Sequence, residues 1–194
     1  MSTDDGSRQS LETNRHKRPQ VSVDEQFEDA PVPTILPIYP SQGLFVLVFA
    51  GDGNRFVKLF KRTWRKIPKQ ERDLLLEQWK AERDFHSAHN PNMKWPRIAL
   101  RKTHHVFDRS QAQRRISFGS TSSIDITFYA PTFAIMPDDV FCIVIAHELA
   151  HRVMRLEDPK LKPPRGLGKV YRAHEDKVNK RIGNWGLDPE ATER

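Results

Sequence analysis

The sequence predicts an α+β domain in which a small mixed sheet packs against one long buried helix and a second helix near the C-terminus. Three observations predict it. Ile124, Ile126 and Phe128 alternate with Asp125, Thr127 and Tyr129, the period-two pattern of a half-buried strand. The segment from Pro137 to Arg155 is apolar nearly all round at Val140, Phe141, Ile143, Val144 and Ile145, as a core helix must be. A further helical pattern from about Leu167 to Ile182 follows a loop holding Pro163, Pro164, Gly166 and Gly168.

The chain of 194 residues is long enough for one domain with a real core. Residues 1–30 are polar and without periodicity, and read as a disordered N-terminal tail preceding a domain over 31–194. Pro31, Pro33, Pro37 and Pro40 make an extended, turn-rich approach to that domain. Leu44 to Ala50 is a compact apolar run, read as a strand, and Gly51-Asp52-Gly53-Asn54 after it is turn chemistry. Glu71 to Phe85 reads as a helix whose apolar face holds Leu74, Leu75, Trp79 and Phe85. His89-Asn90-Pro91-Asn92 ends it, and short strands are expected at Ile98–Leu100 and Ile116–Phe118. Ser122–Tyr129 is the clearest strand, and Pro131 just beyond it points to a place at the sheet edge. Pro137 with Asp138 and Asp139 then carries the start signals of the long helix. Trp185 and Leu187, past the last helix, are expected to fold back onto the domain.

Charge is unevenly placed. Residues 1–30 hold four Lys/Arg against seven Asp/Glu, net −3, while the whole chain carries +7. Seven basic residues and no acidic one lie between Gly53 and Gln70. Such a field attracts nucleic acid or acidic protein surfaces, although a solvated cationic helix face explains the same residues. The longest apolar run is too short to cross a bilayer as a helix, so no membrane partner is expected. One cysteine, Cys142, and the absence of an apolar stretch in Met1–Glu28 make a cytoplasmic setting the expectation.

Chemistry concentrates at His147-Glu148-Leu149-Ala150-His151, an H-E-x-x-H sequence inside the long helix. Positions i and i+4 lie one turn apart on one face, so both imidazoles can reach a single metal. Glu148 stands beside the first of them, placed to accept a proton from a metal-activated water. A chance match in a chain of this length is on the order of one in a hundred. An ionisable triplet in an otherwise apolar helix is also costly to bury without a metal or partners.

The pattern resembles the gluzincin clan of zinc peptidases, and is similar to its small intracellular bacterial members, over about Ser122 to Leu187. The resemblance implies a zincin-like fold, one Zn²⁺ per chain and hydrolysis of a peptide bond in a protein or peptide substrate. In that clan a glutamate on a later helix completes the site in a pattern close to E-x-x-x-[DN], which Glu175 and Asn179 match. Glu175 would then bind zinc, and Asn179 would support a zinc histidine through its outer ring nitrogen. Asp176 and His174 compete for the same place as third ligand. Tyr171, Glu175, Val178, Asn179 and Ile182 fall on one stripe of the helix. The clan also implies that an edge strand before the active helix binds extended peptide by β-addition, a role open to Ser122–Tyr129.

A donor to the developing oxyanion is needed as well. Tyr171 is preferred as that catalytic group, with Tyr129, His104 and His105 open. Cys142 reads as a small core residue, and His86 and His89 at a helix end read as solvated. Trp64, Trp79, Trp95 and Trp185 read as core or boundary aromatics, while Phe56, Phe60 and Trp64 among the cations of 55–69 leave base stacking open. The alternative to a hydrolase is a regulatory or nucleic-acid-associated module that holds zinc without catalysis and works through residues 53–70.

Overall fold

The computed structural model describes residues 33–89, 97–101, 106–107, 115–116, 118–121, 125–161 and 169–192. The expected tail at 1–30, the loop at 162–168, Trp95, His104, His105 and Ser122 to Ile124 lie outside the described residues, as does the His86 side chain.

Strands β1 (Thr34–Tyr39) and β2 (Leu44–Val48) form an antiparallel hairpin. The proline-rich approach is thus itself a strand, and Pro37 sits in it because β1 lies at the sheet edge, where a missing N–H breaks no ladder. Gly43 closes the hairpin with φ 66°, a conformation that favours glycine. Helix α1 (Gly53–Lys66) follows at once. Its cap is Asp52, whose carboxylate accepts from the Arg55 N–H at 2.9 Å. Gly53 has no room for a side chain, since a Cβ there would meet Leu36 Cδ1 and Val48 Cγ2 at 2.6 Å. After Ile67-Pro68 the chain enters α2 (Lys69–His89), which returns it to β3 (Arg97–Arg101), parallel to β2.

Two short strands, β4 (Val106–Phe107) and β5 (Arg115–Ile116), pair with each other outside the main sheet. Phe118, expected to end a strand, is instead exposed just before β6 (Gly119–Thr121). Then come β7 (Asp125–Tyr129), the short α3 (Ala130–Ile135), α4 (Asp138–Glu157) and α5 (Lys169–Asn184). The domain is α+β, with a five-stranded mixed sheet in the order β1-β2-β3-β7-β6. Its three central strands are parallel and both flanking strands antiparallel.

That order corrects one expectation. Strand β7 is interior, with β3 on one side and β6 on the other, and the edge belongs to β6. Pro131 does not mark an edge because it falls in the first turn of α3, beyond the strand, where its missing N–H is harmless. Nor is β7 half-buried, since Ile126, Thr127, Phe128 and Tyr129 are all inside.

The core lies between the sheet and α4. Phe56 and Phe60 from α1, Phe128 from β7, Phe133 from α3 and Phe141 from α4 meet there. The closest ring pair is Phe133–Phe141, at 4.6 Å between centroids. Complete burial of each such ring contributes roughly 1.5–3 kcal/mol. Helix α4 begins at Asp138 with Pro137 as its cap, and it is covered by α1, α2, α5 and β6. This surround explains why it is apolar on nearly every face. Trp185 folds back as expected, buried with its indole N–H donating to Glu71 at 3.0 Å.

Candidate metal centre

One turn of α4 brings His147 and His151 together, with their Nε2 atoms 3.0 Å apart. Helix α5 supplies the third group. It docks through buried Val178 and Ile182, and Arg181 ties it to Glu71 and Glu157. In that orientation Glu175 faces the imidazoles, with Oε2 3.4 Å from His147 Nε2 and Oε1 3.9 Å from His151 Nε2. One donor atom from each of the three residues lies within 4.8 Å of the others. Asp176 is exposed and lies outside this group, and the buried His174 lies outside it too.

These spacings fit a small cation. Metal–nitrogen distances of about 2.0–2.1 Å in a tetrahedral site place donor atoms roughly 3.3 Å apart, and the separations here are 3.0, 3.4 and 3.9 Å. The protonation states fit as well. Burial, then the neighbouring His174, pushes His147 down to about 4. Burial, then His147, His174 and Arg155, pushes His151 down to about 3. Both rings are therefore neutral near pH 7 and offer a lone pair to a metal. A group of two imidazoles and one carboxylate, three-quarters of a tetrahedron, suits zinc among common divalent ions.

His174 has a different place from the one its sequence position suggested. It is buried, its Nε2 is 3.0 Å from His151 Nδ1, and the two rings stack at 5.0 Å. It thus meets the outer nitrogen of a candidate ligand, the position anticipated for Asn179. Asn179 is exposed, and among the described residues no hydrogen bond joins it to either imidazole. The buried stripe of α5 runs His174, Val178, Ile182, a clean i, i+4, i+8 series that was present in the sequence.

Tyr171 also takes a specific position. Burial holds the Glu175 carboxyl above its ordinary range, the Tyr171 hydroxyl bond partly offsets this, and Asp176 adds to it. Tyr171 thus lies against Glu175. Tyr129 is wholly buried within the sheet.

Glu148, beside His147 on α4, faces β6. The Thr121 hydroxyl donates to its carboxylate and lies 3.2 Å from its backbone carbonyl. Burial, eased by the Thr121 bond and reinforced by the nearby Glu175, pushes Glu148 up to about 7. Gly119 is packed so tightly here that a Cβ would stand 2.9 Å from both Glu148 Cγ and Oε1. Neither Thr121 nor Gly119 belongs to a recognisable motif, and only strand pairing brings them to the site.

Arg152, one residue past His151, is 2% exposed. Its Nε donates to Gln78 at 3.0 Å and its Nη2 spans both Glu82 oxygens at 3.0 and 2.8 Å. This bidentate pair clamps α2 to the helix that carries the site. His89 is exposed, in agreement with its reading from sequence, and its Nδ1 donates to the Phe85 carbonyl at 2.8 Å at the end of α2. Cys142 is a buried free thiol packed toward α1, in agreement with a core role. No protein-family model, curated protein or solved structure matches this chain.

Proposed function

We propose that the chain is a single-zinc peptidase with a zincin-like fold. The observation that carries this reading is the meeting of His147, His151 and Glu175, from two helices, around one point. Zinc held there would lower the pKa of a water molecule toward neutrality and polarise a carbonyl oxygen. His174 keeps His151 in the tautomer whose Nε2 faces the centre, and Tyr171 orients Glu175. Glu148, held by Thr121, takes the proton of the attacking water on its carboxylate and returns it to the leaving amine.

Among the described residues β6 is the end strand of the sheet and lies directly beside Glu148, and this supports an extended peptide as substrate. A peptide adding to that edge would gain main-chain hydrogen bonds and pass close to the general base. No helix among the described residues is long and apolar enough to cross a membrane. A cytoplasmic setting goes with this reading, because the one cysteine is a buried free thiol.

The test is elemental analysis of purified wild type, His147→Ala, Glu175→Ala and Asp176→Ala, joined to peptide-library digestion read by mass spectrometry. The expected result is one zinc per wild-type chain, lost in the first two variants and kept in the third, with zinc-dependent cleavage. A folded wild type that holds no stoichiometric metal after zinc addition would sink the proposal.

A further inference from the structure

Seven cations lie between Gly53 and Gln70, six on helix α1 and Lys69 at the start of α2, and two of them explain themselves structurally. Arg55 binds Asp138 and the carbonyls of Phe133 and Met136, and Lys69 pairs with Asp73. Five remain: Lys58, Lys61, Arg62, Arg65 and Lys66. Lys58, Arg62, Arg65 and Lys66 are exposed and Lys61 is half-buried. None of the five is paired with a described carboxylate.

At 100° per residue they fall within an arc of roughly 140° on one side of the helix. Phe56, Leu59, Phe60, Thr63 and Trp64, all buried, occupy the opposite side and pack α1 onto α4 and the sheet. The five cations make a ridge about 12 Å long at 1.5 Å per residue. Neighbours at i+3 and i+4 along it carry like charge, which disfavours the helix.

We propose that this ridge binds the sugar-phosphate backbone of nucleic acid without reading its sequence. The proposal stands independently of the metal centre, which faces α5 and β6 on the other side of α4. The ridge supplies charge and nothing else. Phe56, Phe60 and Trp64 are at most 4% exposed, so no aromatic side chain of α1 is free to stack on a base. That removes the stacking mode of single-strand binding and leaves phosphate contacts. An anionic membrane would call for apolar side chains able to enter the lipid, and those of α1 are committed to the core. An acidic protein partner would call for a buried aromatic or aliphatic anchor, which the ridge also lacks. A regular polyanion needs neither.

The experiment is fluorescence anisotropy of the full chain on labelled 20-base-pair duplexes of two unrelated sequences, at several salt concentrations. Five phosphate contacts give a slope of log K against log[salt] of about −4.5. The two duplexes should bind within about twofold of each other, as backbone contacts dictate. In the variant Lys58→Gln/Arg62→Gln/Arg65→Gln the slope should become shallower by about 2.7. Its affinity should fall at least about tenfold at moderate salt. Circular dichroism and metal content should match wild type, because all three side chains are exposed. Unchanged binding in the variant, or a slope near zero, would overturn the proposal. So would equally tight binding of polyglutamate or phosphatidylserine vesicles at matched charge.

Discussion

His174 Nε2 lies 3.0 Å from His151 Nδ1, with the two rings nearly parallel at 14°. The residue before Glu175 therefore touches the candidate site through His151. His174→Ala should weaken zinc binding about 10–100-fold without abolishing it. Competition with a chromophoric chelator measures this. A complete loss of zinc equal to that of His147→Ala would instead make His174 a ligand.

Glu148→Gln should retain zinc and lose hydrolysis by about 10²–10⁴-fold, the range for removing a general base. The Thr121 hydroxyl can still donate to the amide oxygen, so the side chain keeps its position. Paired zinc and turnover assays read the two effects separately. Turnover close to wild type would remove Glu148 from the chemistry.

Gly119→Ala should disturb the same carboxylate from the strand side. The new methyl group would sit 2.9 Å from Glu148 Cγ and Oε1, inside contact distance. Either Glu148 or β6 must shift, at a stability cost of about 1–3 kcal/mol. Turnover is expected to fall at least about tenfold while zinc stays bound. A fully active alanine variant would show that β6 gives way freely.

Arg152→Ala should destabilise the fold by about 3–5 kcal/mol, because it removes the buried cation that faces the partly buried Glu82 carboxylate. Urea denaturation at fixed pH measures it. Replacing both partners, Arg152→Met with Glu82→Leu, should recover most of the loss, since a buried ion pair is expensive to break but not to exchange for packing. A single variant as stable as wild type would show that the clamp contributes nothing.

What could be read in the sequence is local. The pairing of His147 with His151 follows from helix geometry alone, because i and i+4 share a face whatever surrounds them. The strand at β2, the helices at α2, α4 and α5, and the return of Trp185 to the core were legible for the same reason. Each rests on periodicity, capping or a breaker residue within a few positions.

What only the tertiary structure decided is relational. Three adjacent residues, His174, Glu175 and Asp176, could each have joined the two imidazoles, and the rotation of α5 about its own axis sets Glu175 beside them. Burial of Val178 and Ile182 fixes that rotation, and it turns Glu175 inward, His174 onto His151 and Asp176 and Asn179 to solvent. The place of β7 inside the sheet depended on a three-residue strand, too short to carry a periodic signal, pairing with it. Thr121, Gly119, Gln78 and Glu82 reach α4 across 27 or more residues of chain. Rise and rotation along one helix are fixed by covalent geometry, whereas docking between elements is fixed by packing, and packing is not written at any single position.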